Sequence, residues 1–240
     1  LSADALDVLQ QFVVELDQKL TWNERLAQYY WKGNDFAGTQ RELSQILWIG
    51  SVLSRLDSKW TASDELQALA WADEIFQWGG TRQRAPVTAE KIRAVLENSV
   101  LNRISRPSAP MNSGYTKVAS FATDYLERSD QGVPQAINDS RVATSLTSGL
   151  DSILQRRKLD PSALFPNLGT VNVGRGGTRP RLLSLKWPNA YGSWKGQFAA
   201  TQVVVAIRDI LNGSPSKYPI DGYPRWTVRM VEAVLFMDGY

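Results

Sequence analysis

The 240-residue chain contains no cysteine and no histidine. Without cysteine there is no disulfide framework, no thiolate-held zinc, no iron–sulfur cluster and no thiol nucleophile. Without histidine there is no Ser-His-Asp triad and no imidazole to move protons near neutrality. Catalysis by this chain rests on Lys, Asp, Glu, Tyr, Ser or Thr. The carboxylates are scattered without partners at ligand spacing, so the expectation is neither metal nor cofactor. No apolar run approaches the roughly 18 residues of a membrane span. The first residues show no basic-then-apolar leader pattern, and cytoplasmic residence is the default expectation.

What is present is a globular composition, 43% hydrophobic and 10% aromatic, in 26.8 kDa. The net charge of +3 is unevenly spread. Residues 1–80 hold 6 basic and 12 acidic residues (−6), residues 81–160 hold 12 and 8 (+4), and residues 161–240 hold 9 and 4 (+5). From Pro161 to Arg208 no acidic residue occurs, while Arg175, Arg179, Arg181, Lys186 and Lys195 do. Such a basic remainder suits a polyanion, with nucleic acid first, or forms a solvated loop. The acidic first third leaves room for a protein partner.

Apolar spacing predicts a mostly α protein. Leu6, Leu9, Val13, Leu16 and Leu20 share one helical stripe, and Leu43, Ile46, Leu47, Leu53 and Leu56 another. Ser63 is placed to cap a third helix that Gly79-Gly80 stops, and Thr88 a fourth. Further helices are expected over 115–127, 140–156, 197–211 and 224–237, the last opened by Pro224. The glycine-rich stretch 167–188 reads as a basic loop with a short hairpin near Val171 and Leu182–Leu185. Three regions are anticipated: an acidic helical region 1–60, a core 61–160, and a basic loop with C-terminal helices 161–240.

The informative window runs Ser113-Gly114-Tyr115-Thr116-Lys117-Val118-Ala119-Ser120, then Ala136-Ile137-Asn138-Asp139-Ser140-Arg141-Val142. A glycine turn enters a helix with lysine in its first turn, and a loop then delivers an aspartate at the start of the next helix. Over about residues 110–150 this resembles the helix-hairpin-helix DNA glycosylase superfamily, most closely its 8-oxoguanine DNA glycosylase branch. The resemblance implies Lys117 as nucleophile at the sugar C1′ carbon and Asp139 as its essential carboxylate. It implies a duplex DNA substrate with an extruded, modified purine-type base, possible strand cleavage through a Schiff base, and contacts from Gly114, Tyr115, Thr116 and Arg141. Similar proteins in bacterial anti-phage operons extend the implication to antiviral defence. Family hairpins usually carry two glycines where this chain has only Gly114, and relatives often carry histidine where it has Arg141.

Each residue also has a plainer reading. Ser113, Lys117, Ser120 and Asp124 share a helical face, so Lys117 is either a solvated lysine or a nucleophile. Asp139 is either an N-cap, worth ~1 kcal/mol, or a catalytic carboxylate. Arg175, Arg179 and Arg181 lie on a loop suited to DNA phosphates or to open solvent. Of the nine tryptophans, Trp48 and Trp71 are expected in the core, while Trp78 and Trp194 are the candidates for stacking on an extruded base. Two other function classes fit the same residues: a non-catalytic helical nucleic-acid-binding module, or a protein that handles free nucleotides or a protein-linked base.

Overall fold

The computed structural model describes residues 1–55, 60–170, 183–189 and 191–239. Among them the chain forms eleven α-helices and no strand, only an isolated bridge between Trp31 and Asn34. The helices are α1 (Ala3–Asp17), α2 (Trp22–Ala27), α3 (Phe36–Glu42), α4 (Ser44–Leu53), α5 (Ala62–Trp78) and α6 (Ala89–Leu101). They continue as α7 (Tyr115–Arg128), α8 (Ser140–Arg157), α9 (Pro161–Leu164), α10 (Trp194–Asn212) and α11 (Val228–Asp238). No described helix is long and apolar enough to cross a membrane.

Side-chain caps open every described helix except α4 and α7. Thr61, not Ser63, opens α5, because Asp64 stands three residues beyond Thr61 and the two exchange hydrogen bonds in a capping box. Thr88 caps α6 as expected, and Gly79 ends α5. The last helix begins later than its proline implies. Thr227 accepts the Met230 N–H there, leaving Pro224 in the preceding loop. The first stripe is also shorter than predicted: α1 ends at Asp17, and Leu6 is exposed.

The helices pack into two apolar cores, and these do not follow the boundaries at 60 and 160. One core joins Ala5–Val13, Trp22 and Phe36 to Val142–Leu154, Ala200–Leu211 and Val228–Leu235. The other takes Leu43–Leu53, Ala68–Phe76, Ile92–Leu96 and Tyr115–Ala122, with Ile137 and Trp194. Each fully buried Leu or Val contributes about 1.5–3 kcal/mol, so α1 is bound to α8 and α10 through Val8, Leu9, Phe12 and Val13. Asp7 and Arg157 pair at 2.6 Å, and Glu15 pairs with Arg156. Part of the acidic third therefore meets the chain's own basic residues.

Helix α7 is packed against α4, α5 and α6, and its residues Tyr115–Asp124 are all buried. Trp71 is buried beside them and donates to the Ile46 carbonyl at 2.8 Å. Trp48 is the exception to the expected core: it points outward from α4 and is 64% exposed.

Of the predicted hairpin, Val171 and Leu182 lie outside the described residues, and residues 183–189 contain no strand. Those residues are fastened to α8 by buried Asp151, which accepts from the Ser184 and Leu185 amides and from the Trp187 indole.

Candidate active site

Lys117 and Asp139 meet across the two cores. Lys117 Nζ lies 3.1 Å from Asp139 Oδ2 and donates to the Ser113 carbonyl at 3.0 Å. Lys117 is only 4% exposed and Asp139 7%, so the solvated-lysine reading fails. Asp139 divides its oxygens between two tasks. Oδ1 accepts the Arg141 and Val142 amides and caps α8, while Oδ2 faces the lysine. The cap and the ion pair are one residue's two edges.

The segment before Asp139 is extended, and its backbone donors have no ladder to join. Four side chains take them in turn. Gln135 N–H donates to Thr123, Ala136 N–H to Thr201, Ile137 N–H to Glu232, and Asn138 N–H to Thr116. Those acceptors stand on α7, α10 and α11, so three helices fix the approach to Asp139. Such support is what holds a reactive side chain within a fraction of an ångström.

The pair lies on the wall of a cavity of about 780 Å³ between the two cores. That volume is ordinary for a small-molecule site, and so is its place between packed units. Aromatic residues form one side: Tyr29, Trp31, Phe36, Trp78 and Phe236. Trp31 and Trp78 stand edge to face with centroids 6.2 Å apart. Both indole N–H groups are buried with no hydrogen-bond partner among the described residues. Each is a donor available to an acceptor atom of a ligand. Arg141 lies over the Phe236 ring at 4.4 Å and the Trp31 ring at 5.2 Å.

Glu232 and Arg229 complete the polar wall. The Arg229 guanidinium stands 2.8 Å from Glu232 Oε2, yet burial pushes the Glu232 carboxyl up to about 7. Burial likewise pushes the Tyr29 phenol up to about 12. Sequence spacing singles out none of Tyr29, Trp31, Arg229 or Glu232. One signal was present for the last: Glu232 is the lone charge between Met230 and Met237.

The residues named from sequence divide three ways. Lys117, Asp139, Tyr115, Arg141 and Trp78 all line the cavity. Thr116 and Gly114 are buried beneath it. Thr116 donates to Gln197 while accepting from Asn138, so it positions the Asp139 segment and presents nothing to a ligand. The Gly114 and Tyr115 amides donate to Asn112 Oδ1. A phosphate at this turn would find both donors taken. Trp194 is not a stacking residue: it is 5% exposed and its indole donates to the Ala109 carbonyl at 2.9 Å. Arg175, Arg179 and Arg181 lie outside the described residues. No cluster that could hold a metal ion occurs among the described residues.

Comparison with protein-family models, with curated proteins and with solved structures finds no match to this chain.

Proposed function

We propose that the protein is a DNA N-glycosylase with abasic-site lyase activity, Lys117 being the nucleophile and Asp139 its carboxylate partner. The observation that supports this reading most is the buried Lys117–Asp139 pair on the wall of a ligand-sized, aromatic-lined cavity. Asp139 takes a proton from Lys117, and the freed amine attacks C1′ of an extruded nucleotide. The Nζ–C1′ bond forms as the glycosidic C1′–N bond breaks. That bond's electron pair leaves with the base, which takes the proton that Asp139 accepted. The sugar ring oxygen receives one of the two amine protons as the ring opens, leaving a protonated C1′=N imine. Loss of a C2′ proton then expels the 3′-phosphate. No step calls for histidine, cysteine or metal.

The occupied Gly114 and Tyr115 amides favour one alternative, a pocket that takes a free nucleotide without gripping duplex DNA. Incubation with DNA bearing an abasic site, followed by borohydride, separates the two. The glycosylase yields a covalent adduct that disappears in Lys117→Gln. No adduct on any DNA substrate overturns the lysine mechanism.

A further inference from the structure

The cavity wall is strongly cationic. Arg82, Arg84, Lys91, Lys117, Arg141 and Arg229 line it, against only Asp139 and Glu232. Two of these cations, Lys117 and Arg229, are paired with those carboxylates and sit deep. Arg82 and Arg84 lie at the opposite extreme. Both are exposed, on the loop that joins α5 to α6, and neither pairs with a carboxylate among the described residues. Lys91 stiffens that loop by donating to the Pro86 carbonyl at 2.7 Å. The same loop also borders a second groove of about 650 Å³, so it forms a ridge between two openings.

Between the two arginines, Gln83 reaches across to the hairpin. Its Oε1 accepts from Asn112 Nδ2 at 3.0 Å. A side chain at Gly114 would collide with the Gln83 amide nitrogen and with the Phe76 ring, so the space beside this glycine is already filled. The surface where a hairpin of this kind would meet a phosphate is closed by Gln83, and its amides are bound by Asn112. Arg82 and Arg84 flank the residue that closes it.

We propose that Arg82 and Arg84, with Lys91 behind them, form a phosphate-binding lip at the mouth of the cavity and grip the strand backbone beside the extruded nucleotide in place of the hairpin amides. This rests on the glycosylase reading, and it deepens it by ordering the cavity. Phosphates lie at the exposed cations, the sugar lies beside Lys117 and Asp139, and the base lies among Trp31, Trp78 and Phe236. Arginine suits the outer role, because its planar fork stays charged and bonds phosphate oxygens in pairs.

The test is equilibrium binding of a duplex carrying a tetrahydrofuran abasic analogue, measured from about 50 to about 200 mM salt. Arg82→Ala/Arg84→Ala is compared with wild type and with Arg103→Ala, an exposed arginine on the α6–α7 connection. The double variant should bind more weakly, with the slope of log affinity against log salt shallower by about two, as two lost phosphate contacts require. Arg103→Ala should match wild type. Unchanged affinity and slope in the double variant, with wild type binding normally, overturns the lip alone. Failure of wild type to bind the duplex overturns the glycosylase reading along with it. Deoxynucleoside monophosphate is titrated in parallel. Binding of that ligand but not of duplex, abolished in the double variant, would assign the lip to free nucleotides and overturn the strand-gripping role.

Discussion

Gly79 and Lys117 are fitted against each other. A Cβ on Gly79 would lie 2.6 Å from Lys117 Cδ and 2.9 Å from Cε, closer than packed carbons approach. The glycine thus leaves the channel through which the lysine arm reaches Asp139. Its backbone is ordinary right-handed helix, with φ −77°, and the next nearest atom, the Ile75 carbonyl oxygen, stands at 3.2 Å, so the lysine is the main obstacle to alanine there.

Gly79→Ala should therefore leave the fold standing and displace Nζ. A misplacement of about 1 Å at a reacting group costs on the order of 100-fold in rate. Borohydride trapping should fall at least about tenfold while the melting temperature stays within a few degrees of wild type. A full adduct yield in this variant would show that the lysine needs no such channel.

The two tasks of Asp139 can be separated by comparing Asp139→Asn with Asp139→Ala. Asparagine removes the anion facing Lys117 but keeps an oxygen for the Arg141 and Val142 amides. Both variants should lose the covalent adduct. In denaturant unfolding the alanine variant should be the less stable by ~1 kcal/mol, the usual weight of an N-cap. Equal stability would mean that the cap bonds contribute nothing here.

Glu232 makes stability depend on pH in a defined direction. Its carboxyl titrates near 4.5 when unfolded and is pushed up to about 7 in the folded protein. Between those values the folded state keeps a proton that the unfolded state has released. Its contribution is complete below 4.5, declines as the pH rises toward 7, and is flat above. The shift corresponds to roughly 3 kcal/mol. Glu232→Gln stays neutral and can still accept the Ile137 N–H. Unfolding free energies at about pH 5 and about pH 8 should fall further for wild type than for the variant. Parallel losses would remove Glu232 as the cause.

The helical class and most helix positions are legible in the sequence, because apolar periodicity and capping residues act locally. Lys117 and Asp139 are legible as a pair only through their setting: a glycine turn before one and a helix start at the other. What local pattern does not carry is which side of a helix faces a second core. Trp48 follows the α4 apolar spacing and yet faces solvent, while Trp194, in a basic segment, is buried with its indole satisfied. The departures at Thr61 and Thr227 have a simpler cause. A threonine three residues before a free amide outcompetes a nearby serine or proline for the helix start. Glu232, Arg229 and Trp31 reach the cavity from segments nearly two hundred residues apart, and no spacing rule spans that distance.

The two interleaved cores set an order of events during synthesis. The core that holds Lys117 draws mainly on residues 43–122 and can gather as soon as they leave the ribosome. The other core must wait, since α1 packs on α10, and α2 and α8 pack on α11. Closing so long a loop is slow, and it comes last. Until α11 arrives, Ile137 lacks the carboxylate that holds it and the cavity has no far wall. Lys117 is thus placed early, while the cavity around it is completed only when α11 docks.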